Sequence, residues 1–202
     1  KLDRYGHIDY SFKPGTGFNG SVMDIVTQPD GKVIVCGQFS SYNGTNVQNI
    51  VRLNPNGTID NSFNAGTGFT GYSANVLALG IQSDGKIIVA GDFGLYNGTS
   101  VSRIVRLLPN GSLDGTFTPS SGPNDFVLDL IVKPNDDILI CGKFGTYAGT
   151  SRARIALLTN NGILNNFFVP ASAYAHNDIR AMAIQNDGKI LVGGEFYSYT
   201  DS

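Results

Sequence analysis

Residues 28–39 read QPDGKVIVCGQF, and the phrase returns as QSDGKIIVAGDF at 82–93, KPNDDILICGKF at 133–144 and QNDGKILVGGEF at 185–196, in steps of 54, 51 and 52 residues. A second phrase, IVRLNPNGTIDNSF at 50–63, returns as IVRLLPNGSLDGTF at 104–117 and IALLTNNGILNNFF at 155–168. Its tail opens the chain as LDRYGHIDYSF at 2–12. A fixed period near 52 residues marks a repeat architecture, in which neighbouring units bury one another's apolar faces. The chain starts in the second half of one unit and stops in the first half of another.

Each unit holds four strand candidates. The first spans 22–28 and the second 32–39, with Asp30-Gly31 between them; the third lies near 49–53 and the fourth near 58–63, joined by Asn56-Gly57. Asp-Gly and Asn-Gly between apolar runs predict hairpins whose two central residues both have positive φ. The run Val33-Ile34-Val35-Cys36 has no polar alternation, as expected of a strand covered on both faces. The glycine after each such run (Gly37, Gly91, Gly142) suits close approach of backbones. Small four-stranded sheets packed face to face at this period are the blades of a β-propeller. The fold predicted is therefore all-β, with antiparallel blades of about 52 residues at 22–63, 76–117 and 127–168. A split blade has its late part at 1–12 and its early strands at 179–202. The two parts are placed either to complete each other or to stand as cut edges of a larger ring.

Composition agrees. Of 202 residues, 26 are Gly and one, Glu195, is Glu, which weighs against helices. Charged residues are 15% of the chain and the net charge is −2, against a usual charged share of about 25%. With no basic stripe to track phosphates, nucleic acid is not expected as a partner. No apolar run approaches the roughly 18 residues of a membrane span, so no membrane insertion is expected.

The stretch 85–117, with GKIIVAGDF, YNGT and SRIVRLLPNGSLDGTF, closely resembles the delta-60 repeat, a propeller-type module. The resemblance covers nearly the whole chain. The third unit departs from it where Asn135-Asp136-Asp137 replaces Asp-Gly-Lys. It implies a module of large secreted or surface proteins of bacteria, or of phage virions such as a tail or appendage, and it carries no catalytic residues over. The function expected is thus non-catalytic, structural and recognition-related, at a cell surface or on a virion. The partner is another protein or a surface glycan, with further subunits of an assembly also in view. The alternative is a carbohydrate-active or sugar-binding propeller, a glycosidase or a lectin.

Individual residues discriminate weakly. Cys36 and Cys141 share one position, held by Ala90 and Gly193 in the other units; it wants a small buried side chain. A disulfide needs Cα atoms within about 7 Å, so both are expected to be buried and reduced. His7 and His176 with these cysteines give no metal-ligand spacing, and no cofactor is expected. Asn54, Asn56 and Asp60 faintly resemble a calcium loop but lack its closing Glu. Asp24 and Asp129 are equivalent, with Ala78 and Ala181 elsewhere, and are channel-facing if the first strand lines a channel. A glycosidase needs two carboxyls about 5–10 Å apart, and nothing in the spacing fixes a pair. The binding candidates are Tyr42, Tyr96, Tyr147 and Tyr199, which open the long loops, with Gln38, Asp92, Lys143 and Glu195 at the strand ends beside them. A tyrosine present in every copy reads either as a ring for stacking on sugars or as a loop anchor. The recurrence favours the anchor, because function usually breaks internal symmetry. Arg52, Arg106, Arg103 and Arg154 are expected to bridge to neighbouring strands or carbonyls.

Overall fold

The computed structural model describes residues 1–170 and 177–195. The first unit holds β1 (Ser21–Thr27), β2 (Val33–Gln38), the small hairpin β3 (Ser41–Tyr42) and β4 (Thr45–Asn46), and β5 (Ile50–Leu53). The second holds β6 (Phe69–Thr70), β7 (Asn75–Ile81), β8 (Ile87–Asp92), β9 (Leu95–Tyr96), β10 (Thr99–Ser100) and β11 (Ile104–Leu107). The third holds β12 (Val127–Val132), β13 (Ile138–Gly142), β14 (Thr146–Tyr147), β15 (Thr150–Ser151) and β16 (Ile155–Leu158), and the fourth β17 (Ile179–Ile184) and β18 (Ile190–Gly194). Among the described residues there is no helix. Each full unit is an antiparallel sheet, ordered β1-β2-β5, β7-β8-β11 and β12-β13-β16.

The fourth strand expected near 58–63 does not form as a ladder. It contributes one bridge per unit, Leu53 to Ile59, Leu107 to Leu113 and Leu158 to Leu164. Asp60 ends the pairing: after its N–H meets the Arg52 carbonyl at 2.9 Å, its carboxylate accepts the Ser62 N–H at 3.0 Å and the chain turns away. The central sheets are therefore three-stranded.

Turn chemistry also falls elsewhere than the sequence places it. Gly31 has φ +80° but Asp30 is not left-handed, and the Gly31 N–H reaches the Gln28 carbonyl at 2.9 Å. This is a type I turn with Pro29 and Asp30 at its centre, followed by a left-handed glycine, as proline at the second position favours. In the third unit Asp136 takes that glycine's place at φ +65°. The mirror-image turn with two left-handed residues sits at the tips of the small hairpins: Asn43-Gly44 (φ 47° and 76°), Asn97-Gly98 (46° and 75°) and Ala148-Gly149 (48° and 77°).

Successive sheets pack face to face. Ile34 and Cys36 share a buried cluster with Val76 and Leu79. Ile88 and Ala90 do so with Val127 and Leu130, and Leu139 and Cys141 with Ile179. The fully apolar second strand is thus covered on both sides, and both cysteines are free and buried. At Gly37 an added Cβ would strike the Ser21 carbonyl, and the same clash recurs at Gly91 with Asn75 and at Gly142 with Phe126. Each first strand carries a bulge at one place, between Val22 and Asp24, Val76 and Ala78, Val127 and Asp129, and Ile179 and Ala181.

Candidate functional site

Tyr42, Tyr96 and Tyr147 are 2%, 2% and 0% exposed. Their hydroxyls donate to the carbonyls of Gly57 (2.7 Å), Gly111 and Gly162 (2.7 Å), and burial pushes the phenols of Tyr96 and Tyr147 up. Their faces are filled too: the Phe69 ring lies 4.6 Å from that of Tyr96 and 4.4 Å from that of Phe93. These rings are anchors and offer no surface for a ligand. Each long loop folds back along the sheet edge, so the Asn43 tip comes to lie beside the Asn56-Gly57 turn; both line one small pocket. Long and short connections are therefore not segregated to two ends. Tyr199 and His176 lie outside the described residues.

The Asp24 and Asp129 carboxylates lie near enough for the charge of one to act on the other, but each is taken up by backbone N–H groups. Asp24 accepts the N–H of its own neighbour Ile25 and, across the joint, that of Leu79, both at 2.7 Å. Asp129 does the same for Leu130 and Met182. Each aspartate thus serves the bulges of two consecutive units, and its partner unit needs only alanine at that place. Burial pushes the Asp129 carboxyl up, and the charge of Asp24 adds to the shift. Glu195 pairs with Arg180 at 2.7 Å, and Lys143 with Asp178 at 3.2 Å. The remaining acid network is structural. Arg52 donates from Nε to Asp60 (2.7 Å) and from Nη1 to the Pro109 carbonyl of the next unit (2.6 Å). Arg106 repeats this with Asp114 (2.8 Å) and the Asn160 carbonyl (2.7 Å). Burial pushes the Asp60 carboxyl up, but hydrogen bonds from Ser62, Lys32 and Arg52 outweigh it and hold it well below the usual carboxylate range. Among the described residues no group of three His, Cys, Asp or Glu is placed to hold a metal ion.

Among the described residues, one insertion breaks the repeat. Between its GTGF stretch and its first strand the second unit carries three extra residues, Tyr72-Ser73-Ala74. Tyr72 and Ala74 have φ of 46° and 53°, a region that costs non-glycine residues about 1–3 kcal/mol and tends to mark functional sites. Tyr72 is 67% exposed, and the Arg103 guanidinium lies over its ring at 4.2 Å. Buried Asp92 organises both: it accepts from Arg103 Nε at 3.1 Å and from the Ser73 hydroxyl at 2.5 Å. The insertion borders a cleft of about 530 Å³ between the first two units, lined by Gln38, Gln48, Asn49, Ser73 and Asn75 among others. Gln38 donates to the Asn75 side chain at 2.6 Å across it.

The structure thus places Gln38 on the cleft and Asp92 buried behind it, where it holds Ser73, and leaves Lys143 and Glu195 away from it. Sequence reading missed Tyr72; the signal that marks it is the first step of 54 residues against 51 and 52. The amides and hydroxyls of the cleft, with the exposed Tyr72 ring beside it, suit a neutral, hydroxyl-rich ligand. The only carboxylate at the site, among the described residues, is sequestered by an arginine.

No curated protein matches the chain. A family described as "Domain of unknown function (DUF5122) beta-propeller" matches residues 28–63, 82–117, 133–167 and 185–202, more than half of the sequence. Its four segments begin where the first repeated phrase begins in each unit, and its architecture accords with the stacked antiparallel sheets: the chain belongs to the DUF5122 β-propeller family.

Proposed function

We propose that this chain is a non-catalytic structural and recognition module of the delta-60 kind, from a secreted or surface protein of bacteria or from a phage virion. Its recognition site is the cleft between the first two units. The observation that carries the reading is the Tyr72–Ala74 insertion: it places Ser73 and Ala74 on the cleft wall and an exposed, arginine-braced tyrosine ring beside it. The low charge, 15% of residues, fits an exposed rigid scaffold at a cell surface or on a virion.

Among possible partners the cleft favours a glycan. Gln38, Gln48, Asn49 and Asn75 offer neutral donors and acceptors, and the Tyr72 face suits the apolar face of a sugar ring. Cleavage is not favoured, because Asp92 is held by Arg103 and Ser73 and, among the described residues, no second carboxylate lines the cleft. The test is binding of the intact chain to an array of neutral oligosaccharides, with Tyr72→Ala as control. Retention should fall about fivefold to thirtyfold in the variant, since stacking on one ring contributes on the order of 1–2 kcal/mol. Retention of no glycan, or equal retention by the variant, refutes the assignment.

A further inference from the structure

Arg152 stands where the other units have valine. Val47, Val101 and Arg152 hold one place, and each N–H donates to the equivalent carbonyl, Ser40 (3.0 Å), Gly94 (2.9 Å) and Gly145 (2.8 Å). The two valines pack against the apolar clusters of their units. Arg152 is 7% exposed, nearly as buried as Arg52 at 6%. Arg52 and Arg106 each meet an aspartate. Among the described residues Arg152 meets none. Its Nη1 donates to the Ser151 carbonyl at 2.8 Å and its Nη2 to the Asn166 amide oxygen at 3.3 Å, while the buried Nε–H has no acceptor. Arg52 uses that same Nε and Nη2 edge to hold Asp60 and Ser62.

Such a cation cannot relieve itself. A guanidinium is always charged in proteins, so it does not shed its proton as a buried lysine does, and buried charges are otherwise paired. The usual partner is not at hand: Asn165 stands where Asp60 and Asp114 do, and the stretch 171–176, outside the described residues, contains no Asp or Glu. The second unit shows that this place accommodates a small guest. There Val101 and Gly115 line a cavity of about 180 Å³ with Ile104, Leu113 and Phe117. Arg152 and Asn166 hold the same two positions in the third unit, and the long 3.3 Å bond spans them. Asn166 is exposed, so its amide can turn outward.

We propose that Arg152 is the centre of an oxyanion site in the third unit, which takes a carboxylate or a phosphate group. Two oxygens of the ligand accept from Nε and Nη2, the edge of the guanidinium that matches such a group with parallel bonds. The Asn166 oxygen gives way to the ligand, and Nη1 keeps the Ser151 carbonyl. The site is separate from the cleft between the first two units and takes a charged ligand where that cleft takes a neutral one.

Thermal unfolding of the intact chain in inorganic phosphate, in acetate and in chloride, at matched ionic strength, tests this. Tm should rise saturably with phosphate or acetate, by about 3–6 °C at ten times the half-saturating concentration. It should not rise with chloride, which offers no second oxygen. Arg152→Val installs the residue of the other two units, so it should fold and lose the response. Arg152→Lys keeps the charge without the fork and should lose most of it. Asn166→Ala removes the competing acceptor and should lower the half-saturating concentration severalfold. The last two variants move binding in opposite directions, so the test does not depend on the valine variant folding. A response to phosphate alone or to acetate alone supports the site and identifies the oxyanion it takes. No saturable response to either, an equal response to chloride, an equal response in Arg152→Val, or one half-saturating concentration shared by the parent, Arg152→Lys and Asn166→Ala overturns the proposal.

Discussion

Arg106→Leu is the most informative substitution, because the third unit carries its own version of it. Arg106 is 3% exposed; it holds Asp114, Thr116 (2.9 Å) and the Asn160 carbonyl, and its guanidinium lies 5.3 Å from the Phe117 ring. The third unit places Leu157 and Asn165 where the second has Arg106 and Asp114. Removing one member of a buried ion pair costs about 3–5 kcal/mol, because the other charge is left uncompensated. Here the lower end, about 3 kcal/mol, is expected, since Lys86 remains 3.8 Å from Asp114. The Asn160 carbonyl keeps its bond from Gln82 at 2.9 Å and adds no further penalty. Asp114→Asn alone should cost about 2 kcal/mol by stranding the guanidinium. The double variant reproduces the third unit's neutral pair and should lie within about 1–2 kcal/mol of the parent, a coupling of at least about 2 kcal/mol. Urea unfolding followed by far-ultraviolet circular dichroism measures all four corners of the cycle, provided the denaturant slopes agree. Additive costs, within about 0.5 kcal/mol, refute the view that the pair stabilises by mutual neutralisation.

Three further outcomes are expected. Cys36→Ser should cost about 1–3 kcal/mol, because the thiol lies in an apolar layer with its Sγ 3.6 Å from the Val76 carbonyl; the native thiol, its pKa pushed up chiefly by burial, should resist alkylation until urea unfolds the chain. Ala148→Asn should stabilise by about 0.5–1 kcal/mol, read as a higher urea midpoint, since asparagine tolerates the left-handed conformation better than alanine. Asp60 and Asp114 both have lowered pKa values, burial being outweighed by their hydrogen bonds and arginines. Their contribution to stability is therefore present above the unfolded carboxylate value near 3.9 and is lost as pH falls through the folded values below it. A urea midpoint that stays flat from pH 5 to the acid limit would contradict this.

The repeat, the all-β class and the first three strands of each unit were legible because periodicity and apolar runs are local signals. What failed was geometry that depends on competition between groups. The 58–63 run has strand composition, but after the Asp60 N–H meets the Arg52 carbonyl its carboxylate takes the Ser62 N–H and the chain turns out of the ladder. Asp30-Gly31 looks like a two-residue hairpin turn, yet Pro29 before it favours a wider turn, and the tighter one forms at Asn43-Gly44. The recurrence of the tyrosines already favoured loop anchors; only their acceptors, the Gly57, Gly111 and Gly162 carbonyls, were beyond what spacing reveals. Tyr72 was hidden for the opposite reason. It belongs to no repeat, so a reading built on recurrence passes over it.

The sharing of one aspartate between two bulges sets a counting rule for arrays of this kind. A lone extra unit of the Ala78 type would bring a bulge N–H with no acceptor, a loss of about 1–3 kcal/mol if buried. A lone extra unit of the Asp24 type would set a second carboxylate against a bulge already served. Lengthening by two units, one of each type, avoids both. The building block of such an array is therefore the pair, about 105 residues from Asp24 to Asp129.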